Sequence, residues 1–374
     1  MKAHIFSLMI LLCSVSSNAQ SMCYQWPHWD TFKQHFISDQ GRVIDLGSKQ
    51  EITTSEGQSY GLFFALVAND KSTFDKLLDW TEANLSEGDL SARLPAWLWG
   101  KRENDYGILD SNPASDSDLW IAYSLLEASR LWNERRYAVL AAVLAKRILR
   151  EETEHIPGLG LTLLPGPYGF EIQDKTWRLN PSYVPLQIIR RFVDAYPHSP
   201  WQEVYDTSVQ LLVKSAPKGF SPDWVLYHPD KGFHFTKKHD DIGSYNAIRV
   251  YLWISLLHPE DEQGKTLKAH FVPMVKATAK QGHVPVNVFA QSGHYEKRGS
   301  VGFNASMLKF LDSSQEINAL VSIKQHIDHN ITDELSKHYY SSVLSLFGTG
   351  AFDNRYSFSL DGKLLPQWEQ QCSE

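Results

Sequence analysis

The sequence predicts an all-α fold in one domain, a barrel of six inner and six outer helices. Three observations support this prediction. Apolar residues recur at helical spacing through most of the 374 residues. The predicted helices form pairs with short connections, and the first helix of each pair tends to open with small or polar residues. No fixed sequence period appears, which argues against the rival architecture, an open α-solenoid.

About twelve helices follow from the spacing of apolar residues. They are predicted over 27–38, 57–69, 72–85, 116–132, 134–150, 181–196, 200–216, 244–257, 263–280, 301–311, 314–329 and 334–347. The segment 94–101 is expected to be a loop, and 157–177, rich in Gly and Pro, a loop or short strands. With the first helix next to the last, the ring would close.

The first residues have the pattern of a secretory signal peptide over 1–19. Lys2 lies ahead of an apolar run over 5–12, and small residues lead up to Ala19, as at a cleavage site. The run is too short to cross a bilayer. We therefore expect export to the periplasm or medium, with cleavage near Ala19 and a mature domain over 20–374.

Two cysteines, Cys23 and Cys372, lie at opposite ends of the predicted mature chain. In an oxidising compartment they could form a disulfide bond, which a closed ring of helices would permit. The alternative is two unrelated thiols.

The composition is that of a soluble globular protein, with 43% hydrophobic and 21% charged residues. The 12 Trp are unusual, and flat indole rings suit sugar rings as well as a core. A net charge of −7 without a basic cluster argues against a nucleic-acid-binding surface. The His residues show no metal-binding spacing and no nucleotide-binding Gly motif appears, so neither a metal nor a cofactor is expected.

Glu56 lies at the predicted start of a helix, among small residues that leave room for a ligand. It could instead be a favourable first-turn carboxylate on a solvated helix end. Asp116 and Asp118 occupy a second helix start. Because residues two apart point in different directions on a helix, at most one should face a cleft. Capping by Ser115 or Asp116 is the alternative.

These two helix starts resemble the signatures of a known family. Thr-Ser-Glu-Gly-Gln-Ser-Tyr-Gly around Glu56 and Ala-Ser-Asp-Ser-Asp-Leu-Trp around Asp116 are similar to the two signatures of glycoside hydrolase family 8. Leu-Pro-Ala-Trp-Leu-Trp-Gly, Asn-Pro-Ser-Tyr, Pro-Lys-Gly-Phe-Ser-Pro-Asp-Trp and Leu-Leu-Pro-Gln-Trp resemble family members from bacterial cellulose synthase operons. The resemblance covers nearly the whole mature chain and implies an (α/α)6 barrel.

The resemblance also implies an endo-β-1,4-glucanase that inverts the anomeric configuration, with a cellulose chain as substrate and the cellulose synthase complex as a possible partner. Inversion uses an acid and a base roughly 6.5–9.5 Å apart. Glu56 matches the acid, and Asp116 matches the residue that holds the sugar in the −1 subsite. Candidates for binding the glucan, each of which could instead be structural, are Trp97, Trp99, Trp120, Tyr183, Tyr245 and Arg249.

The sequence departs from the family at the base. The family has Ser-Tyr-Asp-Ala-Ile-Arg, whereas here Asn246 replaces the Asp, and an amide does not accept a proton at neutral pH. Another carboxylate could serve, with Asp240 and Asp241 the nearest in sequence. Part of the family carries Asn here and takes its base from an inserted loop, but no obvious insertion matches. An introduced inactivating change is a further explanation.

Two other functions stay open at this stage. The chain could be a catalytically weak or inactive glucan-binding accessory protein, because of Asn246. It could also act on another β-1,4 polymer such as chitosan or xylan, since related barrels accept them.

Overall fold

The computed structural model describes residues 25–103, 105–173, 175–237 and 240–371. Its helices are α1 Pro27–Phe36, α2 Ser55–Val67, α3 Lys71–Leu85, α4 Ser115–Trp132, α5 Arg135–Glu151, α6 Leu186–Ala195, α7 Trp201–Lys214, α8 Ala247–Ser255, α9 Glu262–Gln281, α10 Val301–Ser306, α11 Leu308–Ser313, α12 Ile317–Lys337, α13 Tyr339–Phe352 and α14 Gln367–Gln371, with a 3-10 turn at Pro181–Tyr183. No helix in these ranges is both long enough and apolar enough to cross a membrane.

Inner and outer helices alternate along the chain, as the sequence predicts. The inner set is buried on nearly all sides: every residue of α8 is buried, and every residue of α2 except Glu56. Outer helices bury one stripe, as α5 does with Tyr137, Ala141, Leu144 and Ile148 at helical spacing. The inner set is α2, α4, the 3-10 turn with α6, α8, α10 with α11, and α13. The outer set is α1, α3, α5, α7, α9 and α12. The fold is therefore the (α/α)6 barrel.

Aromatic packing closes the ring between its first and last inner helices. Phe347 of α13 lies with its ring centre 4.6 Å from that of Phe64 and 5.0 Å from that of Tyr60, both on α2. Trp26, ahead of α1, packs edge-on against Phe64 at 6.0 Å. Edge-to-face contacts of this kind add to the free energy that ring burial itself supplies.

Short antiparallel strands join the helices. They are β1 Thr53–Thr54, β2 Leu98–Lys101, β3 Tyr106–Asp110, β4 Thr153–Ile156, β5 Gly160–Leu163, β6 Glu171–Gln173, β7 Thr176–Leu179, β8 Val225–His228, β9 Gly232–His234, β10 Ile242–Gly243, β11 Pro285–Phe289, β12 Tyr295–Arg298, β13 Tyr356–Phe358 and β14 Leu364–Pro366. The sheets are β1-β2-β3, β4-β5, β6-β7-β8-β9, β10-β11-β12 and β13-β14. Two of the strands come shortly before inner helices: β1 precedes α2, and β10 precedes α8.

Several predicted boundaries are wrong. The sequence predicted a break after residue 329 and a last helix over 334–347, whereas α12 continues to Lys337 and α13 begins at Tyr339. The break falls at His338, whose backbone is extended (φ −121°, ψ 93°). The segment 94–101, predicted to be a loop, contains β2, which pairs with β1 and β3. Strands of two to five residues carry too little alternation to predict from one sequence.

Candidate active site

Glu56 is the one residue of α2 that is not buried, and its side chain is 23% exposed. The helix begins here because Thr54 accepts a hydrogen bond from the Gly57 amide at 3.0 Å. A Cβ on Gly57 would lie 2.4 Å from the Tyr339 hydroxyl oxygen, so a glycine allows α13 to approach. The first turn of α2 therefore presents one carboxylate in a position that is otherwise closely packed.

The two carboxylates at the start of α4 diverge, as their spacing predicts. Asp116 points toward Arg249 of α8, with its Oδ2 3.0 Å from the guanidinium. Asp118 is fully buried on the other side and interacts with Glu152. The cap position itself is Ala114 and has no side-chain bond, but Asp116 Oδ1 accepts a hydrogen bond from the Ser117 amide in the first turn at 2.8 Å.

Arg249 joins the starts of four inner elements. Its guanidinium is almost completely buried and donates hydrogen bonds to five side chains. These partners are Glu56, Tyr60 and Asp116 on Nη1, and Ser182 and Asn246 on Nη2. We call this set the Arg249 cluster. It places Glu56, Asp116 and Asn246, which are far apart in sequence, around one positive charge.

The pKa of Asp116 is raised to about 7. Burial is the main cause and the nearby Glu56 carboxylate adds to it, while Arg249 opposes both. An acid at position 56, as the family resemblance implies, must itself hold a proton before reaction. In the structure the carboxyl group with the raised pKa is that of Asp116, which shares the guanidinium with Glu56.

Asn246 lies immediately ahead of α8 and its amide belongs to the Arg249 cluster. Its Oδ1 accepts from Arg249 Nη2 at 2.8 Å, so its carbonyl oxygen is already bonded to protein. Asp241 is buried and accepts from the Gln291 amide at 3.0 Å. Asp240 accepts from Thr236 and Lys237 within its own loop. Neither aspartate bonds to a member of the cluster.

The aromatic candidates separate into exposed and buried rings. Trp97 is 36% exposed, and its carbonyl accepts from the Ser55 amide, directly before Glu56. Tyr245 is 59% exposed beside Asn246, and the Tyr183 ring centre lies 5.7 Å from the Arg249 guanidinium carbon. Tyr183 itself is half-buried, so Trp97 and Tyr245 are the exposed rings of the three.

Two other tryptophans are held by protein groups. Tyr106 stacks on Trp99 at 5.2 Å, and the Arg42 guanidinium carbon lies 4.3 Å from the Trp99 ring centre. Trp120 is 1% exposed and packs against Phe63 at 4.9 Å and other core rings. The prediction that Trp120 stacks on a sugar is therefore wrong, because a ring buried in the centre of the barrel cannot reach a ligand.

Sequence reasoning gave no role to several residues near the cluster. Asp223 accepts hydrogen bonds from the amides of Ser244, Asn246 and Ala247. Trp224 next to it lies 6.1 Å from the Tyr183 ring, and the Tyr340 hydroxyl donates to the Tyr245 carbonyl at 2.5 Å. Asp223 and Trp224 stand in the motif Ser-Pro-Asp-Trp, where an aspartate beside an aromatic residue was the available signal.

The predicted signal peptide and the predicted disulfide partners Cys23 and Cys372 lie outside the described residues. Within the described ranges, no three His, Cys, Asp or Glu side chains come together as metal ligands.

Comparison with known proteins gives one consistent result. The profile described as Glycosyl hydrolases family 8 matches residues 2–354. An endoglucanase from Escherichia coli O157:H7 is 47% identical over 98% of this chain and 97% of its own, and one from Pseudomonas fluorescens is 38% identical over 95% and 94%. The crystal structure of an endo-1,4-D-glucanase from Vibrio fischeri is 47% identical, covers 92% of this chain and 100% of its own, and superposes with a TM-score of 0.89.

Proposed function

Because the chain belongs to glycosyl hydrolase family 8, we propose that it is an endo-β-1,4-glucanase that hydrolyses cellulose with inversion of the anomeric configuration. The observation that carries the proposal is the Arg249 cluster, which holds an accessible Glu56 and a buried Asp116 on one guanidinium. Relatives named endoglucanase, at up to 47% identity over almost the whole chain, support the substrate class.

Glu56 acts as the general acid in this proposal. Two carboxylates share the single guanidinium of Arg249, and the raised pKa of Asp116 means that this group can hold a proton at neutral pH. Sugar hydroxyls that donate to Asp116 would favour its ionised form, so the proton would then belong to Glu56. Glu56 is the more exposed of the two carboxylates, and it therefore meets the oxygen of the leaving sugar.

Trp97, Tyr183 and Tyr245 supply the apolar faces for neighbouring glucose rings. They lie on three different segments around the cluster, so a chain crossing the site would pass more than one of them. A substrate that extends past the cluster on both sides is cleaved internally, which is what distinguishes an endo-acting enzyme.

The test is release of reducing ends from carboxymethylcellulose, with NMR of the first product anomer from a soluble cello-oligosaccharide. We expect the inverted anomer, and retention would contradict the mechanism. Glu56→Gln is the matched variant, because it keeps the size and a hydrogen bond but cannot donate the proton. We expect Glu56→Gln to lower kcat by about 10²–10⁴ while calorimetry still shows oligosaccharide binding.

The second candidate is a glucan-binding accessory protein without turnover. The observation in its favour is Asn246, an amide in the place of the family base, with its carbonyl oxygen bonded to Arg249. This candidate predicts binding of cello-oligosaccharides by calorimetry with no hydrolysis by the unaltered protein. If Asn246→Asp hydrolyses the oligosaccharide and the unaltered protein does not, position 246 is the position of the missing base.

We further propose that the protein is exported and works beside the cellulose synthase complex. The pattern over 1–19 supports export, and the resemblance to enzymes of cellulose synthase operons supports the partner. Mass spectrometry of the protein from the periplasmic fraction should show an N-terminus near residue 20. Deletion of its gene should change cellulose production. A panel that includes chitosan and xylan tests the substrate, since higher activity on either would reassign it.

A further inference from the structure

We propose that Asp223 is the general base of this enzyme, the carboxylate that takes the proton of the attacking water in place of Asn246. The inference rests on the proposed function. Asp223 Oδ1 accepts hydrogen bonds from the amides of Ser244 at 2.8 Å, Asn246 at 3.1 Å and Ala247 at 2.8 Å. The carboxylate therefore lies against the backbone of the residue whose side chain it would replace.

Oδ2 of Asp223 is the oxygen that is available to accept a proton from water. Within the described ranges, every hydrogen bond that Asp223 accepts ends on Oδ1. Asp223 also lines a cavity of about 460 Å³ together with Trp224 and Phe235. The Trp224 ring centre lies 6.1 Å from that of Tyr183, which lies 5.7 Å from the Arg249 guanidinium carbon, so Tyr183 is the ring between this wall of the cavity and the Arg249 cluster.

The electrostatic surroundings of Asp223 suit a base. The three backbone amides at the start of α8 and the positive charge of Arg249 stabilise the ionised carboxylate, which must be present before the reaction. Burial acts in the other direction and raises the pKa of Asp223 above the ordinary value, with its effect larger than that of the amides. An aspartate with a raised pKa accepts a proton more readily than a solvated one at the pH where the enzyme works.

The other carboxylates nearby are less suited. Asp241 is buried and directed to the Gln291 amide of the β11–β12 connection. Asp240 lines the same cavity, but it is exposed and its Oδ2 already accepts hydrogen bonds from Thr236 and Lys237 in its own loop. Asn246 has its carbonyl oxygen bonded to Arg249, which leaves its amide nitrogen, a donor, to face the substrate.

The step balances without any further reactant. The oxygen of a water molecule bonds to the anomeric carbon while the bond from that carbon to the leaving oxygen breaks. Glu56 gives its proton to the leaving oxygen, and a proton of the attacking water passes to Asp223, directly or through one more water. Exchange of protons with solvent then restores both carboxyl groups.

The decisive variant is Asp223→Asn. An Asn side chain still offers Oδ1 to the three amides, so the start of α8 should stay intact, but it takes up no proton. We expect kcat on carboxymethylcellulose to fall by about 10²–10⁴ with the Tm close to that of the unaltered protein. Asp261→Asn is the matched control, because Asp261 caps α9 through the amides of Gln263 and Gly264, and it should keep full activity.

The double variant Asp223→Asn with Asn246→Asp separates a base from a structural cap. If Asp223 is the base, a carboxylate at position 246 restores hydrolysis to the double variant. Asp223→Asn with activity within about threefold of the unaltered protein overturns the inference. So does loss of activity in Asp240→Asn while Asp223→Asn stays active. An unaltered protein that binds glucan without hydrolysing it overturns the proposed function instead, and the two failures are therefore distinct.

Discussion

Replacing Arg249 by Met should destabilise the protein by an amount that grows with pH. The substitution removes the guanidinium and keeps an apolar chain of similar length. Asp116, buried, and Glu56, partly exposed, both lose their counter-charge. Breaking a buried ion pair by removing one partner costs about 3–5 kcal/mol.

The pH dependence follows from Asp116. Its pKa is about 7 in the folded protein, above the ordinary value of 3.8. Between those values the folded state holds a proton that the unfolded state has lost, so stability falls as pH rises and levels off above the folded pKa. Arg249 lowers that pKa, so the variant has a higher one and its stability keeps falling beyond pH 7. The deficit should grow by up to about 1.4 kcal/mol per pH unit there.

Urea unfolding of the unaltered protein and of Arg249→Met at pH 6, 7 and 8 measures the deficit. Arg191→Met is the control, because Arg191 also bonds a fully buried carboxylate, Glu127, at 2.6 Å. Glu127 keeps Arg130 at 2.9 Å in that variant, so its deficit should stay constant with pH. A deficit of Arg249→Met that is equal at pH 6 and pH 8 would refute the reasoning.

Three further predictions concern single side chains. Burial raises the pKa of Asp118 and of Glu152, which interact, so each group makes the folded state less stable as pH rises above about 4. Glu152→Gln should therefore make the fall in the urea midpoint between pH 5 and pH 8 less steep. An unchanged slope would contradict this. Trp97→Ala should raise KM for a cello-oligosaccharide roughly tenfold and leave the Tm almost unchanged, since the ring is exposed. Trp120→Ala should instead cost about 3–5 kcal/mol of stability in denaturant unfolding, and a purely kinetic effect would show that the ring is not structural.

The alternation of inner and outer helices could be predicted because it is written in local patterns. Outer helices such as α5 show one apolar stripe, and inner helices such as α8 are apolar apart from Arg249 and Ser255. The break at His338 could not be predicted, because the residues around it, Lys337 and Tyr339, are acceptable in a helix. Only packing of α13 against its neighbours determines where the chain turns.

The residues of the site also fall into those that local sequence identifies and those whose place depends on packing. Glu56 and Asp116 stand at helix starts in long motifs, so the sequence identifies them as candidates. Trp120 belongs to one of those motifs and is nevertheless core, because the direction of a side chain within a helix depends on the register of that helix in the barrel. Asp223 is 167 residues from Glu56 in sequence, and its place beside Asn246 depends on three backbone amides that carry no residue-specific signal.

The first and last parts of the ring meet at α2, the helix that carries Glu56. At one end of the described chain, Trp26 packs on Phe64. At the other, Trp368 donates to the Leu66 carbonyl at 3.2 Å. An open array of helical repeats can fray from its ends while its middle persists. Here both ends of the described chain contact α2. Fraying of either end would therefore loosen the helix whose first turn holds Glu56, and activity would be lost before the rest of the barrel opens.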